Sequence, residues 1–160
     1  MRWVFQEPDK KLVEKLQSEF DTSAAIAVTM ANRGITSRES SRDFFEPTLG
    51  QLHDPFIMKN MDQAVARILT NIRSGQPIMV FGDYDVDGTT AASILYLSLT
   101  DFGGVVNTYI PHREHEGYGL SNKGIDFAAE QNIDLIITCD CGINAFEQVD
   151  YARERSIDVI

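Results

Sequence analysis

Ile78-Met79-Val80-Phe81-Gly82-Asp83-Tyr84-Asp85-Val86-Asp87-Gly88-Thr89-Thr90 is a short apolar run that breaks into three alternating aspartates and a glycine. The four apolar residues follow Pro77 and read as a strand, and the segment from Gly88 onward reads as the start of a helix. A strand passing through a tight acidic turn into a helix is the first half of a βαβ unit, which decides the class of fold.

Outward from that stretch the pattern repeats. Val105 to Ile110, Leu135 to Cys139 and Ile157 to Ile160 read as further strands, the third apolar enough to be covered on both faces. Helices are expected to begin near Gly88, Ser121 and Asn144, the last with Glu147 placed to complete a capping box. The expected fold is therefore α/β, a parallel sheet with flanking helices, its fourth strand still open at Ile160.

Upstream, the chain from about Lys10 to Ser74 reads as helices. Asn32-Arg33-Gly34 looks like a helix end with glycine in the left-handed cap, and Thr36 with Glu39 looks like a capping box for a helix that Pro47 closes. Met61, Val65, Ile68, Leu69 and Ile72 form one apolar helix face, ended by Gly75. The expected division is a helical segment over 1–75, packed on the core, and the α/β domain over 76–160.

At 160 residues and 43% hydrophobic composition, the chain suits one compact domain with a small helical extension. The start resembles no secretion signal and no apolar run is long enough for a bilayer, so a cytoplasmic protein without membrane contact is expected. Cys139 and Cys141 are too close for an ordinary disulfide and lack the spacing of a zinc site, which suits a reducing compartment. A net charge of -10 opposes a broad basic face for nucleic acid. Divalent cations gathered by carboxylates would reverse that objection locally.

In open parallel sheets, ligands bind beyond the carboxyl ends of the strands. The first strand runs into Asp83, Asp85 and Asp87, the second into Pro111-His112-Arg113 and the third into Asp140-Cys141-Gly142. Four carboxylates on one edge repel one another, and hard cations with oxygen ligands are the simplest remedy. Manganese and magnesium both suit such a site, and two ions would stabilise the attacking and leaving oxygens of a phosphodiester displacement. The bland alternative is that the aspartates only cap turns and helices.

Two other motifs overlap the same residues. Asp83, Asp85, Asp87 and Gly88 imitate the start of a calcium loop, but its twelfth position is Ile94 where glutamate is required. Asp85-Val86-Asp87-Gly88-Thr89 also resembles haloacid-dehalogenase-type phosphatases, with Asp85 as nucleophile, Asp87 as general acid and Thr138 in the second motif. Against that reading, Gly82, Asp83 and Tyr84 separate Asp85 from the strand end. A third possibility is a non-catalytic module that binds DNA or protein.

Asn32-Arg33-Gly34-Ile35, Leu52-His53-Asp54-Pro55-Phe56, Met61-Asp62-Gln63-Ala64-Val65, the Gly82 to Thr90 segment, Tyr109-Ile110-Pro111, Glu116-Gly117-Tyr118-Gly119-Leu120 and Thr138-Cys139-Asp140-Cys141-Gly142-Ile143 follow one another in order. That ordered set resembles the DHH phosphoesterase family, and within it the RecJ-type exonucleases. The resemblance implies that Asp85, Asp87 and Asp140 are catalytic metal ligands for two Mn2+ or Mg2+ ions. It leaves Asp83 either among the ligands or behind them. The family often has histidine where Phe81 stands, so one ligand is missing, and the Asp-His-His signature is expected just past Ile160.

The implied activity is 5′ to 3′ exonuclease action on single-stranded DNA in repair and recombination, releasing 5′-mononucleotides, with the present segment alone inactive. Single-strand-binding protein and a recombination helicase are the implied partners. Arg113 is a candidate phosphate grip, with a salt bridge to Glu114 or Glu116 as the alternative. Tyr118 is a candidate base-stacking residue, with a packing anchor as the alternative. His112 and His115, three residues apart, raise the possibility of a metal pair or of plain solvated side chains.

Overall fold

The computed structural model describes residues 2–160 and divides into two compact units, Met1–Pro55 and Phe56–Ile160. In the first unit, α1 (Lys10–Phe20), α2 (Ala24–Asn32) and α3 (Arg38–Phe45) enclose a small core of Leu16, Ala27, Met30 and Ile35. Gly34 adopts φ 76° just past α2, the left-handed stop expected from Asn32-Arg33-Gly34. The capping box of α3 sits one residue later than expected. Ser37 is the extended N-cap residue, and the Ser40 hydroxyl accepts from the backbone N–H groups of both Thr36 and Ser37, so Thr36 and Glu39 are not the pair.

The second unit begins at Phe56 and contains α4 (Met61–Ser74) together with the sheet. Gly75 ends α4 at φ 70°, its N–H bonding back to the carbonyls of Asn71 and Ile72. Four strands follow: β1 (Ile78–Phe81), β2 (Val106–Tyr109), β3 (Leu135–Thr138) and β4 (Asp158–Val159). All pairings are parallel and the order is β2-β1-β3-β4. Helices α5 (Val86–Asp101), α6 (Asn122–Glu130) and α7 (Phe146–Glu154) make the crossovers. The helix expected from Asn144 begins only at Phe146. Its N-cap residue, Ala145, has no side-chain oxygen, so the Asn144 and Glu147 capping box does not form.

Two apolar layers sandwich the sheet. Met79, Phe81 and Ile136 pack with Ile125 and Ala128 of α6 and Ala152 of α7 on one face. Ile78, Val80, Leu135 and Ile137 pack with Ala92 and Leu99 of α5 and with Ile68 and Ile72 of α4 on the other. All four β1 side chains are fully buried, which is why the run is continuously apolar where a half-exposed strand would alternate. Burial of this kind contributes about 1.5–3 kcal/mol for each large side chain.

The amino-terminal ends of the strands are tied together by polar groups. Asn71, 1% exposed, donates to the Asp134 carboxylate at 2.7 Å and to the Pro77 carbonyl at 3.4 Å. Arg67 bonds to Asn71 and reaches the Asp158 carboxylate at 2.6 Å, which anchors α4 at the entrances to β1, β3 and β4. The opposite end of the sheet is left free for chemistry. Among the described residues no helix is long and apolar enough to cross a membrane.

Candidate metal centre

With strand order β2-β1-β3-β4, chain direction across the sheet reverses between β1 and β3, and the crevice of a parallel sheet opens at that switch point. Asp83, Asp85 and Asp87 follow β1, and Asp140 follows β3. The Cys139 N–H donates to the Phe81 carbonyl at 2.9 Å and fixes the two strand ends side by side.

Each carboxylate is held differently. Asp85 is the N-cap residue of α5, its carboxylate accepting from the Gly88 N–H at 2.9 Å. Asp87 lies exposed in the first turn of α5. Asp140 is exposed and adopts φ 57°, a left-handed conformation that aspartate tolerates better than most residues. Asp83 is buried at 3% exposure, and its Oδ1 accepts no hydrogen bond.

The four acids share one electrostatic environment. The Asp140 carboxyl is pushed above the usual aspartate range, first by partial desolvation and then by the charges of Asp85, Asp87 and Asp83. The Tyr118 phenol is pushed up by desolvation and by Asp140, Cys141, Asp83 and Asp85. Even so, among the described residues no three His, Cys, Asp or Glu side chains close around a common point. Asp85 spends one oxygen on the Gly88 N–H of its helix.

The donor set suits hard cations. Every candidate ligand is a carboxylate oxygen, and Asp83 supplies a buried acceptor that the protein itself does not satisfy. The flanking thiols do not compete. Burial pushes the Cys139 thiol up and the Cys141 thiol to about 12, and both sulfurs turn to the Phe81 carbonyl. The Thr138 hydroxyl donates to the Ile160 carbonyl at 2.9 Å, on the β4 side of β3, an arrangement that lends the phosphatase reading no support.

The loop after β2 differs in detail from the expectation. Arg113 pairs with neither Glu114 nor Glu116; its guanidinium lies 5.2 Å from the centre of the Tyr84 ring. Tyr118 is 62% exposed between Gly117 and Gly119, so it is no buried packing anchor. His112 and His115 stack with ring centres 4.4 Å apart and planes at 24°. Parallel rings point their in-plane lone pairs side by side, not at one ion, and the metal reading of this pair fails.

Sequence reasoning missed Glu116 as an organiser. Its carboxylate accepts from the Tyr109 hydroxyl at 2.8 Å, the Ser121 hydroxyl at 2.7 Å and the His112 N–H at 2.8 Å. Ser121 in turn caps α6. The only signal in the sequence was an acid ahead of Gly-Tyr-Gly. Burial alone would raise the Glu116 carboxyl, but these bonds and the charge of Lys123 hold it below the usual glutamate range. Burial and the Glu116 carboxylate push the Tyr109 phenol to about 12.

A carboxyl depressed in the folded state stabilises the fold above the unfolded glutamate value, about 4.3, and loses that contribution as pH falls through the folded value. Glu116→Gln is therefore expected to melt below wild type at neutral pH, with the gap closing as the pH drops below about 4. Thermal melts of both proteins from neutral pH to about pH 3 test this; a gap that stays constant rules out the charged form as the cause.

The chain resembles known proteins along its whole length. Residues 77–160 match the N-terminal domain of the DHH family. The chain is 37% identical over its whole length to a single-stranded-DNA-specific exonuclease RecJ of Bacillus subtilis, and 30% identical over its whole length to that of Thermus thermophilus. It spans only 20% and 23% of those proteins. A crystal structure of exonuclease RecJ bound to manganese matches with a TM-score of 0.58 at 37% identity, covering 63% of this chain and 26% of that one. The Thermus thermophilus RecJ in complex with Mn2+ matches with a TM-score of 0.63 at 26% identity, covering 95% of this chain and 20% of that one. A parallel sheet with acids across its switch point, matched over more than half its length to one family's domain, places the chain: it belongs to the DHH family.

Proposed function

We propose that this chain carries the carboxylate side of a two-cation centre in an exonuclease that degrades single-stranded DNA from its 5′ end. One observation carries the reading: Asp83, Asp85 and Asp87 at the end of β1 and Asp140 at the end of the adjacent β3 meet at the switch point, where the β1 charges help push the Asp140 carboxyl up and, among the described residues, no basic side chain is ion-paired to any of the four. Asp85, Asp87 and Asp140 would hold the ions. Bound Mn2+ or Mg2+ would supply Lewis-acid polarisation of the phosphodiester and an activated water.

The chain's own residues do the rest. Asp85 couples the site to the rigid start of α5 through the Gly88 N–H. Arg113, free of acidic partners, is available to grip a phosphate with its forked donors, and the exposed Tyr118 ring is available to stack on a base. Release of 5′-mononucleotides, work in repair and recombination, a cytoplasmic setting, and a single-strand-binding protein and recombination helicase as partners belong to the same proposal, and rest on the resemblance carried by the ordered motifs.

The test is a chimera in which this chain replaces the matched fifth of the Bacillus subtilis relative. It should shorten single-stranded DNA from the 5′ end in Mn2+ or Mg2+, spare duplex DNA and stop on chelation. A folded chimera that retains no such activity, or that cleaves with EDTA present, sinks the reading. The 160-residue chain by itself should cleave little, because it holds only part of what its relatives contain.

A further inference from the structure

Asp83 stands apart from the other three acids. Asp85, Asp87 and Asp140 are exposed and can turn toward an ion, whereas Asp83 is buried and fixed. A Cβ added at Gly88 would lie 2.5 Å from the Asp83 nitrogen and 2.6 Å from its Cα and Cβ, so α5 is pressed directly against this residue. Its Oδ1 has no donor, and no ion pair in the unit involves it.

A buried carboxylate oxygen without a donor is costly, and the cost grows where other negative charges surround it. The groups around Asp83 are of the wrong kind to help. Its charge bears on Asp140 across the sheet, on Tyr118 of the loop before α6 and on Cys141 after β3, raising the proton affinity of each. The nearby cation, Arg113, is turned to Tyr84. A cation held by the exposed acids would compensate that charge.

We propose that Asp83 is a positioning residue: a fixed, uncompensated charge beneath the exposed acids that destabilises the cation-free fold and is relieved when a divalent cation binds. Stability and cation affinity are thereby set against each other at a single residue, as is common where function requires a group that the fold would not choose. The inference rests on the metal-centre reading above and adds to it a role through charge, not direct ligation.

Two neutral variants, Asp83→Asn and Asp83→Ala, separate charge from shape. In EDTA at least one should melt above wild type by roughly 3 °C or more, because an unpaired charge has gone. Mn2+ affinity, read by electron paramagnetic resonance of the free ion, should fall about tenfold in both. Asp87→Asn is the control: an exposed, solvent-screened acid whose loss should weaken Mn2+ uptake with less gain in stability than the better of the two Asp83 variants. If both Asp83 variants melt below wild type in EDTA, or if they bind Mn2+ within about twofold of wild type, the role assigned to Asp83 is wrong while the metal centre stands. A wild-type chain that takes up no Mn2+ overturns the metal centre itself, and this inference with it.

Discussion

Replacing Gly88 by alanine is expected to lower the melting midpoint by roughly 6–12 °C, corresponding to about 3 kcal/mol in a chain of this size. The reason is space. Gly88 sits in the first turn of α5, where an added methyl group would enter the Asp83 backbone at 2.5–2.6 Å, and backbone cannot step aside as the tip of a side chain can. Gly82 meets the same constraint from the other side, since a Cβ there would lie 2.9 Å from the Gly88 carbonyl oxygen. Either the helix moves off the strand end or the strand end deforms. In both cases the Gly88 N–H leaves the Asp85 carboxylate, so Mn2+ affinity should fall together with stability. Gly75→Ala is the natural control. It has a positive φ but nothing within 4 Å, so only the left-handed penalty of about 1–2 kcal/mol applies. Equal melting losses at the two positions would show that close packing of α5 on β1 is not the cause.

The acidic stretch after β1 was readable for the reason that makes Gly88 sensitive. A continuous apolar run, three acids at alternate positions and a glycine can be arranged economically in one way, with the strand buried, the acids at its carboxyl end and a helix starting close against it. Helix ends were readable where a single residue determines them, as at Gly34 and Gly75. They were displaced where two candidates compete, as when Ser40 completes the box with Ser37 and leaves Thr36 outside it. The organisation of the β2 loop was not readable. The bonds to Glu116 come from Tyr109, His112 and Ser121, three separate points on the chain, and only the folded path of the loop brings them to one carboxylate. Arg113 illustrates the same limit, because the Tyr84 ring it faces lies at the end of a different strand.

The net charge of -10 also acquires a local meaning. Spread evenly, it would repel a polyanion, yet part of it is concentrated in the four aspartates at the end of the sheet opposite the Arg67 and Asn71 network, where the proposed cations would offset it. DNA affinity in such a protein should therefore depend on divalent ions more than on a basic surface. On the proposed reading, that would separate it from binding modules that hold nucleic acid through lysine and arginine alone.

Asp140→Asn should reduce Mn2+-dependent cleavage by the chimera by a factor on the order of a thousand, the scale seen when one preorganised charge-stabilising group is removed from an active site. The substitution isolates charge. Asparagine tolerates the left-handed backbone that Asp140 adopts at φ 57°, whereas alanine would add strain and blur the result. It preserves shape and one acceptor oxygen. It also removes a carboxylate that Asp85, Asp87 and Asp83 already disfavour, so the fold should lose no stability and the melting midpoint should hold or rise. Loss of turnover with an undiminished midpoint is the combination a cation ligand predicts; a residue that merely closes the turn after β3 would lose both together. If Asp140→Asn kept cleavage within about tenfold of the unsubstituted chimera, β3 would contribute no ligand. The site would then have to be rebuilt from the β1 acids alone.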